Sequence, residues 1–208
     1  MNPNALNYII EKFQIDFGGA KPSDIKSPIT LQTIDRRGFA SLLAELGCAI
    51  GAEVGVEQGA YSECLLSRNP NLKLFCVDAW SRYSNYRDHV NQEKLDNFYK
   101  ATEARLAQYN AVLVRSYSVE AAKQFMRDSL DFVYIDANHT LPFVIADLQA
   151  WIPKVHVGGI IAGHDYQRRK EGLQNNVIIA VSAWVKSFRV APWFLTGEDN
   201  HSWFWVKE

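Results

Sequence analysis

Cysteine is scarce in this chain: three among 208 residues, none in a CxxC pair. Cys48, Cys64 and Cys76 each sit in an apolar context. That excludes a disulfide framework and a cysteine-built zinc site, and leaves buried free thiols in a reducing compartment. A surplus of one charge is missing too, since 22 Lys and Arg face 23 Asp and Glu. With a sequence pI near 6.5, a surface built for a polyanion is excluded, and nucleic acid is not an expected partner. The basic cluster Arg168-Arg169-Lys170 reads as a solvated loop. No apolar run approaches the roughly 18 residues that cross a bilayer. The first residues lack the basic start and apolar core of a signal peptide. A soluble, cytoplasmic protein without a membrane partner is expected. Internal repeats and low-complexity tracts are absent as well, so the length suits one domain with a sizeable core.

What is present is alternation. Short apolar runs at 48–56, 72–78, 111–116, 130–136 and 158–165 are separated by longer amphipathic stretches near 60–68, 91–108, 118–127 and 141–154. The second of these places Leu95, Phe98, Thr102 and Leu106 on one helical face. Thr140 suits a helix cap, with Pro142 in the first turn. Near-continuous apolar strands alternating with helices predict a parallel sheet covered on both faces. After a helix near 174–188, the runs 190–197 and 201–208 flank Glu198-Asp199-Asn200 and read as a hairpin. Residues 1–47 offer a helix near 4–14, a loop rich in Gly, Pro and Ser, and a helix near 31–46. Too small for a core of their own, they are expected to cap the domain formed by 48–208.

The first strand runs into GAEVGVEQGAYS (51–62). A dinucleotide site presents glycines and backbone N–H groups to a pyrophosphate. Here Glu57 stands at the middle position and Ala60 replaces the third glycine, while Glu53 adds a second carboxylate. Both would repel a diphosphate at close range. A cationic ligand without phosphate, such as S-adenosylmethionine, removes that objection. The second strand ends in Asp78, 25 residues after Glu53, where a βαβ unit places an acid against ribose hydroxyls. By itself the loop fits a tight turn with solvated acids equally well; Asp78 favours a ligand.

On these residues the sequence resembles the class I S-adenosylmethionine-dependent methyltransferases, from about Cys48 to Glu208. The first motif matches as Glu53 to Gly59, with Glu57 at a position more often glycine, and the ribose acid matches Asp78. Ser116-Tyr117-Ser118 matches the segment lining the adenine, and DFVYIDANH (131–139) matches the motif ending the fourth strand. WIPKVHVGGIIAGHDY (151–166) is similar to a subgroup of small-molecule O-methyltransferases. The resemblance implies a Rossmann-like α/β fold, a seven-stranded, mostly parallel sheet with an antiparallel last strand. It implies cofactor contacts from Glu53, Gly55, Glu57, Gly59, Ser62, Asp78, Ala79, Trp80, Ser116, Ser118 and Asp136.

The fourth and fifth strands end in Asp136-Ala137-Asn138-His139 and Gly163-His164-Asp165-Tyr166. Two carboxylates and two imidazoles therefore converge where the methyl group should sit. Asp136 and Asp165 suit a hard cation such as Mg²⁺ that would lower the pKa of an acceptor hydroxyl, with His164 or Asn138 as a third ligand. Catechol-type metal-dependent methyltransferases resemble this set, but they follow the second acid with Asn, where this chain has Tyr166. His139 or His164 would take the proton. The plain alternative is that Asp136 orders the loop and His164 is a hydrogen-bonded strand-end residue. His156 and His201 read as structural, as do Trp151, Trp184, Trp203 and Trp205. The loop from Trp80 through Tyr83, Tyr86 and His89 offers a lid.

The expected activity is methyl transfer to a hydroxyl of a small-molecule acceptor, of sugar or natural-product type. The competing readings are an N- or C-directed methyltransferase without metal, a non-catalytic cofactor-binding module, and an NAD-dependent oxidoreductase. The aromatic tail offers a face for a homo-oligomer.

Overall fold

Both faces of the central strands are apolar because both are covered. In the computed structural model, which describes residues 1, 4–82, 91–167 and 175–208, five adjacent parallel strands run to one edge of a single sheet: β2 (Ile50–Val54), β3 (Lys73–Asp78), β4 (Ala111–Arg115), β5 (Leu130–Ile135) and β6 (Val155–Tyr166). Along β5, Phe132 and Tyr134 enter one core cluster while Val133 and Ile135 enter the other. This is the two-residue alternation of a strand buried twice.

The helices divide accordingly. The first core takes Ala5 and Ile9 from α1 (Ala5–Lys12), Phe39, Ala40, Leu42 and Leu43 from α2 (Arg36–Glu45), and Leu65 and Leu66 from α3 (Ala60–Arg68). Leu106, at the end of α4 (Gln92–Leu106), joins the same face. The second core is built from α5 (Ser118–Ala122), α6 (Leu141–Trp151) and α7 (Asn176–Ser187), with Leu148, Trp151 and Val181 fully buried. A buried leucine or phenylalanine of this kind contributes about 1.5–3 kcal/mol relative to exposure. No helix among the described residues is long and apolar enough to cross a membrane.

The terminal hairpin forms as expected, from β7 (Phe194–Thr196) and β8 (His201–Val206). β8 is antiparallel to both β6 and β7. An eighth strand, β1 (Ile29–Leu31), pairs with β7 in parallel, so the order is β1-β7-β8-β6-β5-β2-β3-β4 rather than a seven-stranded one. Three residues are too few for a periodic signal, and the open edge of β7 supplies the template. The second helix starts at Arg36 instead of 31, because Asp35 caps it by accepting the Gly38 N–H at 2.7 Å.

β6 begins at Val155, so His156 lies inside the strand, with Nε2 2.9 Å from Asp131 Oδ1. His201 Nδ1 lies 2.6 Å from the carbonyl of Thr196. Both histidines are structural, and Trp151, Trp203 and Trp205 are core residues.

The chain leaves β2 for β3 and β4 on one side and returns to β5 on the other. The strand order therefore reverses between the carboxyl ends of β2 and β5, the place where an open α/β sheet leaves a crevice.

Candidate active site

Where β2 ends, the chain must pass the end of β5 closely. Gly55 has φ +94°, and a Cβ there would lie 2.1 Å from the carbonyl oxygen of Asp136, so no other residue fits. Asp78, the last residue of β3, fastens the loop that follows. Its Oδ2 accepts the N–H groups of Val56 and Glu57 at 3.0 and 2.9 Å, and its Oδ1 accepts that of Trp80 at 2.8 Å. Glu57 sits in the left-handed region at φ +52°. Its carbonyl accepts from Trp80 Nε1 at 2.8 Å and Thr102 Oγ1 at 3.1 Å, while its side chain is exposed. Gly59, at φ +76°, is the cap residue of α3.

A cavity of about 560 Å³ opens at this loop. Glu53, Gly55, Glu57, Asp78, Ala79, Ser118 and Asp136 line it, together with His139. Gly59, Ser62, Trp80 and Ser116 are not on its wall. Ser62 is fully buried behind it, and its hydroxyl donates to Glu53 Oε2. Trp80 is fully buried under the loop, and the Ser116 N–H is spent on the carbonyl of Asp78 at 2.9 Å. Burial pushes the Glu53 carboxyl up to about 8, against the Ser62 hydrogen bond and the charge of Arg36. The protonated form of Glu53 is therefore favoured at neutral pH.

At the far end of the cavity the ends of β5 and β6 meet. Arg36 Nη2 lies 2.5 Å from Asp136 Oδ2. The guanidinium stands 3.9 Å over the Tyr61 ring and 5.1 Å from that of Tyr134. Burial opposes the charge of Arg36, but Tyr134 and Asp136 more than offset it. His139 Nε2 lies 3.2 Å from Asp136 Oδ1 and 2.9 Å from Asp165 Oδ2. Burial works against its charged form, yet hydrogen bonds to the two carboxylates raise it to about 9. His139 is an imidazolium at neutral pH.

Asp165, at φ +59°, also accepts from Asn200 Nδ2 at 2.7 Å. Burial pushes its pKa up, but His139 and Asn200 hold it well below the usual carboxylate range. His164 differs: its Nδ1 is 3.8 Å from Asp136 and 4.0 Å from Asp165, and burial lowers its pKa. It is the neutral imidazole of the pair.

Asp136, His139 and Asp165 offer ligand atoms that all lie within 4.8 Å of one another. Two carboxylate oxygens and an imidazole nitrogen suit a divalent first-row metal, whereas Mg²⁺ favours oxygen alone. The group thus fits a cation through His139, where the sequence pointed to His164 or Asn138. Asn138 Oδ1 is engaged with the Thr140 N–H at 3.0 Å. Arg36, Tyr61, Glu198 and Asn200 carried no motif. In sequence Arg36 falls inside the helix expected near 31–46 and Glu198 and Asn200 in the hairpin turn, and only the fold brings them here. The lid residues Tyr83, Tyr86 and His89, and the loop 168–174, lie outside the described residues.

The sequence model of a family described as a methyltransferase domain matches residues 52–166. No curated protein matches this chain. Among solved structures, it is similar to an O-methyltransferase from Bacillus cereus in complex with SAH, at 13% identity and a TM-score of 0.57, over 96% of this chain and 88% of that one. It is also similar to the O-methyltransferase TomG from Streptomyces achromogenes, involved in tomaymycin synthesis and in complex with SAM, at 14% identity and 0.59, over 99% and 90%. The O-methyltransferase NovP shares 16% identity at 0.58, over 83% and 77%. At these identities the likeness to the solved structures is one of fold.

Proposed function

Because this chain belongs to the methyltransferase-domain family, whose model spans more than half of it, we propose that it moves the methyl group of S-adenosylmethionine to a hydroxyl of a small molecule of sugar or natural-product type. The observation that carries this reading is one cavity joining the glycine loop to the Asp136–His139 pair. Two of its structural neighbours are O-methyltransferases holding SAH or SAM.

The chemistry is a displacement at carbon. The acceptor oxygen bonds to the methyl, the carbon–sulfur bond breaks toward the sulfonium, and the hydroxyl proton leaves. The protein must align the two partners, exclude water and receive that proton. Asp78 and the glycine loop hold the donor's ribose and methionine ends, and Glu53 meets its ammonium. His164, kept neutral by burial, is the better proton acceptor, since His139 already holds a proton between two carboxylates. Arg36 supplies positive charge beside Asp136, which favours a mechanism that runs without metal. A divalent ion held by Asp136, His139 and Asp165 would supply a stronger pull on the acceptor hydroxyl.

Calorimetric titration with S-adenosylmethionine, with NAD⁺ as control and Mg²⁺ or Mn²⁺ added, tests the reading. Saturable binding of S-adenosylmethionine alone is expected. Binding of NAD⁺ in its place would sink the proposal. So would normal methyl transfer in both Asp136→Ala and His164→Ala.

A further inference from the structure

Four buried side-chain polar atoms find no hydrogen-bond partner among the described residues: Arg36 Nε, Glu198 Oε1 and Oε2, and Asn200 Oδ1. All four belong to residues lining one hollow of about 440 Å³, which His164 and Tyr61 also line. Buried polar groups are nearly always paired, so four orphans in one place call for a missing partner. Arg36 and Tyr61 line both this hollow and the cofactor cavity, which makes the two adjacent compartments with Arg36 in the wall between them.

The guanidinium of Arg36 is tied through Nη2 to Asp136, and the amide of Asn200 through Nδ2 to Asp165. Glu198 sits in the turn between β7 and β8, whose next residue, Asp199, is exposed.

Resting on the methyl-transfer reading, we propose that this hollow is the acceptor subsite and takes a neutral polyhydroxylated molecule, of glycoside or cyclitol type, through Glu198, Asn200 and Arg36. The unmatched set has three acceptor oxygens and one N–H donor, so its complement is rich in O–H groups. A simple phenol brings one O–H, and methylation consumes it. A vicinal polyol keeps hydroxyls for Glu198 and Asn200 and offers an oxygen to Arg36 Nε, while another hydroxyl lies toward His164. Around the hollow, Asp35 and Glu198 balance Arg36 and Arg37, so neither a cation nor a phosphate is favoured.

The experiment uses the full chain saturated with S-adenosylhomocysteine, whose binding is measured first by calorimetry. Failure at that step overturns the methyl-transfer reading itself. Methyl α-D-glucopyranoside, myo-inositol, phenol and catechol are then titrated by saturation-transfer NMR. At least one polyol is expected to bind the wild type, and about tenfold more weakly to Glu198→Ala, with S-adenosylhomocysteine affinity unchanged. Glu198→Gln keeps the shape should the alanine variant not fold. It is expected to weaken the polyol too while raising Tm, because it removes an unpartnered buried carboxylate. A purely structural Glu198, or one satisfied by a trapped water, would show equal polyol binding in wild type and variants. That result overturns the subsite, as does binding of phenol or catechol with no polyol bound, or the absence of any polyol binding to the loaded protein.

Discussion

The two halves of the site are built in opposite ways. Around the ends of β2 and β3 the polar groups are paired within the protein: Asp78 accepts three backbone N–H groups, Ser62 holds Glu53, and Trp80 and Thr102 hold the carbonyl of Glu57. Around the ends of β5 and β6 the pairing is dense at Asp136 and Asp165, then stops short, leaving orphans on Arg36, Glu198 and Asn200. A site for a common cofactor can be set rigidly in advance, whereas a site for a particular acceptor keeps groups that only that acceptor satisfies.

Gly55→Val should break the first half outright. The branched side chain meets the carbonyl of Asp136 at a backbone angle valine rarely adopts. A loss of about 3 kcal/mol or more is expected by chemical denaturation, with no measurable cofactor binding. Arg36→Ala breaks the second half. It strands Asp136 and should lower stability by about 2 kcal/mol, less than a fully buried pair costs. The methylation rate should fall by about a hundredfold, while cofactor affinity moves by less than about threefold. Equal damage to both quantities would erase the distinction between the halves.

Asp78→Asn keeps the shape but turns an amide NH₂ toward backbone donors. Cofactor affinity should fall by about tenfold in calorimetry. Two titrations sharpen the contrast further. Glu53, raised to about 8, should release up to about one proton when a cationic donor binds at pH 7. That release is read from binding heats in buffers of different ionisation enthalpy, and it should vanish well above pH 8. In the other half, His139 is raised to about 9 from an ordinary 6.5. Its contribution to stability is full below about 6.5 and is lost as pH rises through about 9. The pH slope of Tm across that window should flatten in His139→Gln.

The smallest effect is expected of Glu57→Gly. The left-handed backbone suits glycine and the residue is exposed, so stability should change by less than about 1 kcal/mol and cofactor affinity by less than about twofold. The loop's work is done by its main chain. A large loss would return that role to the carboxylate.

How much of this was legible follows the range of the forces involved. Strand and helix periodicity, the glycine turn and the strand-end position of Asp78 depend on near neighbours, and the sequence alone determined them. So did the alternating α/β order that places Asp136 and Asp165 at adjacent strand ends. The eighth strand, the exchange of His164 for His139 between the carboxylates, and the arrival of Arg36, Glu198 and Asn200 depend on contacts between distant segments. Arg36 and Asp136 are 100 residues apart, and no local pattern records which guanidinium will meet which carboxylate. Only the tertiary structure decided that, because burial makes an ion pair form where the packing of α2 and the hairpin happens to bring it.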